Sequence, residues 1–588
     1  MQDPRTSKRY LHLLLGIIVM TCGALEAWFG RTELFGDDIS YLDVTHLIRS
    51  ADWKAAFNPL WSIGYPLLLA GIRPIFPAGI HGELTAVFAL NILICLATWL
   101  SFLWFLKTAT TFIGIDNDEK PSFWCSQNLS ILVYPTRLSP YTVTIAACIF
   151  VVIETGFGKV SSIGPDQLVV CLFFLASGLL LRFLIQPTVK NGTRLGTVLG
   201  IGFVVKAIFL PLSVIVIACA LLRFRGRLPR RAALSISAAF LWFLLPYAAA
   251  LSWAIGRPTL GESGQLNYAY HVNQLPHWMG WQGGPPRLGT PVHPVHLLRD
   301  HPAVFGFGEP FHVTYPPQYN LHYWYDGYNH FFSPINAVRS IAVNLHELEK
   351  VLHENWPFTL ALALAFLILA TTNWVPHLNR SSIAIQVERK LWPLYLPSLL
   401  GIALYLQVHL EGRYIVAFIA ILAVLPFLAV ESFRPRIRAS ILIILICGTV
   451  VDLARLLDLT LFRAIHPEIV ERESRHQWTI AAYLNQSGLK PGDRIAAVGT
   501  GNDIRCTWAY AANLRIVAVI GNDAYDPDKQ QEDFLDFWSK PEIQQDVLRL
   551  FREQGAVAVV VPAFRPFDDP IDPRWQRIPN TDAWLLRL

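Results

Sequence analysis

Runs of apolar residues recur along the chain, and most are near the twenty residues that a helix needs to cross ~30 Å of hydrocarbon. The pattern predicts a polytopic helical membrane protein. The predicted spans are 10–29, 84–106, 128–153, 167–186, a segment within 195–222, 231–254, 355–373, 391–408, 412–430 and 438–458.

Two segments change the count of spans. Residues 58–83 contain Arg73 and four prolines around a short apolar core, which favours an amphipathic segment in the outer interface over a span. Residues 195–222 contain Lys206, and a lysine at mid-bilayer is costly. Two short helices that meet near Lys206 at the outer face remove this cost. Both changes together give about eleven spans and place Asp166 at the outer face.

Basic residues between spans predict the orientation. Five arginines in RFRGRLPRR (223–231) and three in FRPRIR (433–438) mark cytoplasmic loops by the positive-inside rule. The N-terminus is predicted to be cytoplasmic as well, and its apolar run is too long for a cleaved signal peptide. The outer face then carries the loops 30–83 and 255–350 and the tail after 458. The residues that support this orientation at other positions are Arg5, Lys8, Arg9, Arg389 and Lys390.

The composition agrees with a membrane protein. The chain is 53% hydrophobic and 15% charged, and its mean hydropathy is +0.39, whereas a soluble protein of 588 residues would carry more charge. The net charge of +5 lies mostly in short loops beside spans, which fits membrane topology rather than nucleic-acid binding. The eight cysteines form no CxxC pair and indicate core packing rather than a disulfide framework.

The hydrophobic pattern changes after about residue 465. Residues 494–499, 515–521 and 556–562 have the pattern of short buried strands, and EIQQDVLRLFREQG has the pattern of an amphipathic helix. We therefore predict a small α/β domain at 465–588 outside the cytoplasm, beside a transmembrane domain at 1–460. GTGNDI (499–504) matches no nucleotide-binding motif.

The stretch FGDDISYLD (35–43) follows the first span directly. An outward carboxylate at the membrane surface can act as a general base that deprotonates an acceptor hydroxyl or amine. If that group attacks a sugar outside the cytoplasm, the sugar must be carried by a lipid, because nucleotide sugars stay inside the cell. The leaving group would then be a polyprenyl phosphate, which needs cations or backbone donors to stabilise its charge. The structural alternative is that Asp37 and Asp38 cap a short helix that begins near Ile39.

GDDISYLD after the first span resembles the Asp-Asp/Glu…Tyr motif of the GT-C membrane glycosyltransferases. Within that superfamily the chain is similar to the branch of protein O-mannosyltransferases and lipid A aminoarabinose transferases. Further motifs follow in the same order over roughly residues 1–460: NPLWSIGYPLLLA, SSIGPDQLVV, GTVLGIGFVVKAIFLP and HLEGRYIVAFIAIL.

The resemblance implies roles for three acids. Asp37 is the candidate catalytic base, and Asp38 stands where the family often has Glu or Asp. Asp166 matches a second acidic position near the donor phosphate or the acceptor, although it could also be a helix N-cap. The family implies an inverting transfer by one in-line displacement at the anomeric carbon.

The resemblance also implies substrate-binding residues. Lys206 and Arg413 match basic positions that contact the lipid phosphate, although each could instead snorkel to the interface. His409 and Glu411 could bind polar groups of the substrate or form a local hydrogen-bonded turn. The predicted substrate-binding residues are Tyr41, Lys206, His409, Glu411, Arg413 and Tyr414, of which the two tyrosines could instead serve only packing.

No cofactor is firmly implied, but a divalent metal is an open alternative. Eight histidines lie between His271 and His330, and some could bind a metal together with Glu309 or Asp326. Their spacing matches no metal motif, and loop histidines at an aromatic interface are the favoured interpretation. The long loop rich in Pro, Gly and aromatic residues could line a groove for a sugar or a lipid.

The sequence therefore predicts an integral-membrane glycosyltransferase of the bacterial inner membrane. It would move a monosaccharide from a polyprenyl-phosphate donor to a lipid, glycan or protein acceptor on the outer face. One alternative is a ligase or polymerase of lipid-pyrophosphate-linked glycans that uses the histidines of loop 255–350. The other is a lipid or solute transporter, although no internal repeat supports it.

Overall fold

The computed structural model describes residues 4–114, 140–224, 229–275, 281, 283, 286–293, 296–307, 312–374, 390–432, 435–466, 472–499, 506–520, 527–562, 569–570 and 572–588. Several predictions concern residues outside these ranges. They are the first part of the span 128–153, parts of both basic loops, Arg389, Glu309 and most of the GTGNDI segment.

Helices dominate the described residues. They are α1 (Pro4–Gly30), α2 (Gly36–Arg49), α3 (Trp53–Ala56), α4 (Gly64–Ile72), α5 (Ile80–Gly114), α6 (Pro140–Phe157), α7 (Asp166–Ile185), α8 (Val189–Val205), α9 (Phe209–Arg223), α10 (Arg230–Ile255), α11 (Ser263–Asn267), α12 (Pro316–Tyr319), α13 (Leu321–Trp324), α14 (Pro334–Glu354), α15 (Trp356–Trp374), α16 (Trp392–Val408), α17 (Gly412–Val424), α18 (Pro435–Ile465), α19 (Arg472–Gln486), α20 (Thr507–Ala511), α21 (Pro527–Ser539) and α22 (Pro541–Glu553).

A helix occupies each predicted span as far as the described residues extend. Among these residues, four helices are long and apolar enough to cross a membrane, in α5, α7, α10 and α18. The number rises to five if α14 and α15, which meet at 96°, count as one broken span. Shorter apolar helices fill the remaining predicted positions. The chain is thus an integral membrane protein, and the total of about eleven spans stays a prediction.

The two ambiguous segments fold as the charge pattern favours. In 58–83 the helix α4 has nine residues, and at 1.5 Å per residue it is too short to cross a bilayer. Arg73 follows it and donates to the backbone oxygens of Phe76, Pro77 and Gly79. In 195–222 the helices α8 and α9 are separated by an extended residue, Lys206 (φ −157°, ψ 136°).

Close packing of α8 places Lys206 at the end of a well-fixed helix. Gly192, Gly196 and Gly200 lie four residues apart on the face that meets α10. A Cβ at Gly196 would lie 2.1 Å from the backbone oxygen of Ile236, so only glycine allows this approach. Small residues at this spacing are a common way for membrane helices to pack closely.

Among the described residues, seven strands form a mixed sheet that packs against the helical part. Its strands are β1 (Leu297–Arg299), β2 (Val304–Gly306), β3 (Arg494–Val498), β4 (Arg515–Ile520), β5 (Ala558–Val561), β6 (Gln576–Arg577) and β7 (Trp584–Arg587). The order is β1-β2-β4-β3-β5-β7-β6, and β3 runs parallel to β4 and β5. The three strands that the apolar runs after residue 465 predicted are β3, β4 and β5. Two further strands come from the loop 255–350, so the sheet is not built from 465–588 alone.

The sheet is buried on both faces, which explains its nearly continuous apolar strands. On β3, Ile495 and Ala497 join the core that is shared with the helical part. Ala496 and Val498 point to the opposite face and pack with Val547 of α22. The alternation follows from the period of two in a strand. The helical part and the sheet therefore share one continuous core.

Helix α14 lies mostly within the predicted loop 255–350. Its polar residues Ser340 and Asn344 are buried, whereas Ile335 and Val338 are exposed. The side chain of Asn344 accepts the N–H of Leu410 at 3.0 Å, so the polar face packs against the segment between α16 and α17. The apolar face is the outer one, the reverse of a helix on a soluble protein.

Candidate active site

The start of α2 gives two adjacent carboxylates different surroundings. The Oδ2 of Asp38 accepts the N–H of Phe35 at 2.9 Å, and its Oδ1 accepts the N–H of Ile163 at 2.9 Å. The first contact satisfies a donor at the helix N-terminus. Because both oxygens are engaged and Asp38 is 3% exposed, this residue holds the loop before α7 against α2. Asp37 lies on another face of the helix and points into a cavity.

Two donors hold Asp37 at the cavity wall. Gln318 of α12 donates its side-chain N–H to Oδ1 at 3.1 Å, and the Nη2 of Arg413 lies 3.5 Å from Oδ2. The side chain of Asp37 is 44% exposed although protein atoms surround it, and the residue lines the cavity. Burial raises the pKa of Asp37 above its ordinary value, against the opposing effect of Arg413. A carboxylate that accepts protons more readily than usual is suited to general-base work.

Asp166 and Lys206 form an ion pair across two helix ends. Asp166 is the first residue of α7, where the helix dipole favours a negative charge. Lys206 lies in the break between α8 and α9 and donates to Oδ1 of Asp166. Oδ2 of Asp166 lies 3.5 Å from the Nε of Arg413. The break in the predicted span therefore places the lysine beside the second acidic position.

Arg413, near the start of α17, connects the charged groups. Besides Asp37 and Asp166, its guanidinium bonds the carboxylate of Glu411 at 2.7 Å and the hydroxyl of Ser162 at 3.3 Å. Its side chain is 16% exposed, so it is not an interfacial side chain that snorkels to water. A planar group with several fixed donors suits this bridging position.

A small network completes this side of the cavity. The hydroxyl of Tyr414 donates to Glu411 at 3.3 Å, and the ring of Tyr414 lies 4.0 Å from the Nζ of Lys206. His409 lies 3.1 Å from Glu411, and its ring stacks on His271 with 4.1 Å between centroids. The pKa of Glu411 is held well below its ordinary value because His409 and Arg413 outweigh the effect of burial. The local hydrogen-bonded turn at 409–413 is thus part of the cavity wall.

These residues border one cavity of about 650 Å³. Of the nine predicted site residues, Asp38 is the one that does not line it. Tyr41 does, with its ring packed edge-on against Trp61 at 5.3 Å. The predicted residues on the cavity wall are Asp37, Tyr41, Asp166, Lys206, His409, Glu411, Arg413 and Tyr414.

Gln318 and His271 contact predicted site residues on the cavity wall but were not themselves predicted. Gln318 and His271 both belong to the loop 255–350. Gln318 is placed by Asp43, whose carboxylate accepts the backbone N–H and the hydroxyl of Thr314 just before α12, each at 3.0 Å. Nothing in the sequence pattern around Gln318 signals this role, although Asp43 belongs to the quoted motif.

The loop histidines occupy separate places. His271 lies in the cavity, His293 stacks on Tyr323, and His296 contacts the backbone oxygen of Gly306. Among the described residues, no group of three or more His, Cys, Asp or Glu side chains could hold a metal ion. The metal alternative stays a prediction.

Replacing Gly36 with alanine tests the contact between Gln318 and Asp37. A Cβ at Gly36 would lie 2.0 Å from the side-chain oxygen of Gln318 and would push that side chain away. If the cavity is catalytic, we expect activity to fall about tenfold, the value of one hydrogen bond to a charged group. Gln318→Leu should cost the same, and the double variant should cost no more than either single variant.

Gly71→Ala is the matched control for this prediction, since nothing lies within 4 Å of its added Cβ. Its activity should equal that of the unmodified protein. Additive losses in the double variant Gly36→Ala, Gln318→Leu would show that the two residues act separately.

The fold of this chain is similar to solved structures, whereas its sequence is not similar to a known family. No protein-family model matches this sequence, and no curated protein matches it by sequence. The structure is similar to that of ArnT from Cupriavidus metallidurans bound to undecaprenyl phosphate, with a TM-score of 0.53 and 10% identity over 99% of this chain and 98% of that chain. The chain has the GT-C fold.

A second structure agrees with this assignment of the fold. ArnT from the same organism in the apo state gives a TM-score of 0.50 and 13% identity, and the match covers 95% of this chain and 93% of that chain. The GT-C resemblance predicted from the motifs is therefore confirmed at the level of the fold. Its extent is larger than the predicted residues 1–460, since the likeness includes the region of the sheet.

Proposed function

We propose that this protein is a membrane glycosyltransferase that moves a monosaccharide from a polyprenyl-phosphate carrier to an acceptor on the outer face of the bacterial inner membrane. The observation that carries the proposal is the joint presence of Asp37, Lys206 and Arg413 on one cavity wall. The undecaprenyl phosphate bound to ArnT, whose fold is similar, supports a lipid phosphate as the donor's carrier.

In the proposed reaction Asp37 takes the proton of the acceptor hydroxyl or amine as that group attacks the anomeric carbon. The bond between the anomeric carbon and the phosphate oxygen breaks, and the polyprenyl phosphate leaves with the bonding electrons. A single displacement of this kind inverts the anomeric carbon. The raised pKa of Asp37 favours the proton transfer.

Lys206 is the better placed of the two cations for the leaving phosphate. An ammonium group has three N–H donors, and in the described part of the chain Lys206 uses one of them on Asp166. Arg413 already donates N–H groups to Asp37, Glu411 and Ser162, so fewer of its donors are available for the phosphate. We assign the phosphate chiefly to Lys206 and the alignment of the carboxylates to Arg413.

Asp166 would hold Lys206 in position, and Asp38 would fix the loop before α7 rather than exchange protons. Both assignments follow from contacts already described. Tyr414 and His409 would lie beside the donor, and their contacts with Glu411 would hold them in place. The identities of the sugar and the acceptor are left to experiment.

Purified protein in detergent should release lipid phosphate from one member of a panel of polyprenyl-phosphate sugars when a glycan or lipid acceptor is added. Mass spectrometry of the released carrier and of the acceptor gives the readout. Because no gradient exists in detergent, transfer there excludes a transporter. Reaction only with lipid-pyrophosphate-linked glycans would instead support the ligase or polymerase alternative.

The transfer rate should depend on pH through Asp37. The base acts as a carboxylate, so kcat/KM should fall as the pH decreases through its pKa, at a pH above the ordinary aspartate value of 3.8. After burial, the negative charge of Glu411 is one of the causes that raise this pKa. Glu411→Gln should therefore shift the acid limb to lower pH. A limb that stays in place or moves upward would contradict the assignment.

A further inference from the structure

A second cavity of about 810 Å³ lies beside the first. Both cavities are lined by Leu260, Gly261, Gln265 and Leu266, so the segment 260–266 is their common wall. The volume falls within the roughly 300–1,000 Å³ of ligand pockets. None of the predicted site residues lines this second cavity.

The charges of the second cavity disfavour an anion. Arg257 is paired with Glu262, with Nη2 2.8 Å from Oε1, and it also donates to Asp326. Two carboxylates against one guanidinium leave a formal charge of −1 among these side chains. An anionic ligand would meet this excess and would find no unpaired cation on the described part of the wall.

The remaining polar groups suit hydroxyl groups. Among the described residues, Oε2 of Glu262 has no hydrogen-bond partner, so it can accept a ligand hydroxyl. The Nδ1 of His322 is out of reach of solvent and also lacks a partner, which leaves Nε2 as the nitrogen a ligand can meet. Burial lowers the pKa of His322 to about 4, so the ring is neutral at neutral pH.

The chain connects this cavity to the proposed base. Gln318 donates to Asp37, Leu321 lines the first cavity, and His322 lines the second. These residues lie within five positions along α12 and α13. A ligand seated beside His322 is thus next to the element that holds Asp37.

We propose that the second cavity binds a sugar ring of the acceptor, a neutral or amine-bearing carbohydrate, next to the cavity that Asp37 borders. The inference rests on the proposed function, because it assigns the acceptor of that reaction. Glu262, Asp326 and His322 recognise the hydroxyl groups, and Tyr325 and Tyr328 form the aromatic part of the wall.

Saturation-transfer NMR on the purified protein, with the first cavity filled by undecaprenyl phosphate, tests this site. The probes are glucose, glucosamine and glucuronate, which are neutral, cationic and anionic at neutral pH. Glucose and glucosamine should bind, and glucuronate should bind more weakly. His322→Ala and Glu262→Gln should each weaken glucose binding about tenfold, the value of a hydrogen bond to a buried or charged group.

His346→Ala is the matched control, since this histidine lies on α14 with 63% of its side chain exposed. It should bind glucose as the unmodified protein does. If His322→Ala does not fold, Glu262→Gln alone decides. Strongest binding by glucuronate, no binding by any probe, or equal binding by Glu262→Gln and unmodified protein would overturn the proposal.

The two proposals fail in different ways. Transfer from a polyprenyl-phosphate sugar that continues at the normal rate and acceptor KM in Glu262→Gln would leave the proposed function standing and remove the acceptor site. Sugar binding that depends on Glu262 without any release of lipid phosphate would keep the site and contradict the glycosyltransferase.

Discussion

Asp37→Asn is expected to lower the rate of sugar transfer by about 10²- to 10⁴-fold, the usual contribution of a general base. Asparagine keeps the shape of the side chain and can still accept from Gln318, but it cannot take the acceptor's proton. Donor binding should change little, because the phosphate is assigned chiefly to Lys206. The measurement is kcat for transfer under saturating donor, together with the affinity for undecaprenyl phosphate.

Asp300→Asn is the control for the loss of a carboxylate, since this aspartate is exposed in the turn after β1. It should retain the full rate. A normal rate in Asp37→Asn would remove Asp37 from the mechanism. A loss of rate with an equal loss of thermal stability would show a structural role instead.

Lys206→Met is expected to lower transfer by about 10²- to 10³-fold, the cost of removing one group that stabilises a developing anion. Methionine keeps an unbranched apolar side chain that is one heavy atom shorter than that of lysine. Asp166 keeps its contact with Arg413 at 3.5 Å, so the carboxylate is not left without a cation. Undecaprenyl phosphate should also bind more weakly, as isothermal calorimetry in detergent would measure.

Lys190→Met is the matched control, because Lys190 lies exposed near the start of the same helix α8. It should change neither the rate nor lipid binding. Unchanged lipid binding in Lys206→Met would assign the phosphate to another group. A fall in the melting temperature without a change in the binding of folded protein would identify the ion pair as structural.

Much of the fold follows from hydrophobicity, because the thickness of the bilayer sets the length of an apolar helix. The cost of a buried lysine also predicts the break at Lys206, where α8 ends and α9 begins. Helix α14 was not predicted from the sequence, because its polar residues face the protein and its apolar residues face outward. The strands β1 and β2 were not predicted either, because a strand of three residues is too short to show an alternating hydrophobic pattern.

The site was predicted in part. Asp37, Asp166, Lys206 and Arg413 come from helix ends whose order along the chain gives the pattern, and the structure brings them to one cavity. Asp38 could not be separated from Asp37 by sequence, because one helical step decides which carboxylate faces the cavity. Gln318 comes from a loop without periodicity, where long-range packing alone sets the position.

The helix ends around this cavity explain why charged side chains cluster there. Asp166 begins α7, Arg413 follows the first residue of α17, and Lys206 lies between two helices. The backbone groups there are already polar, so charged side chains add less cost than they would at mid-helix. The glycine contact between α8 and α10 then fixes the lysine relative to the rest of the wall.

The position of the lipid phosphate tests the account most directly. A cryo-electron microscopy map of the protein in nanodiscs with undecaprenyl phosphate would locate it. We predict that the phosphate lies within hydrogen-bonding distance of Lys206, in the cavity that Asp37 borders. A phosphate bound in the second cavity beside Arg257, or outside both cavities, would contradict the account.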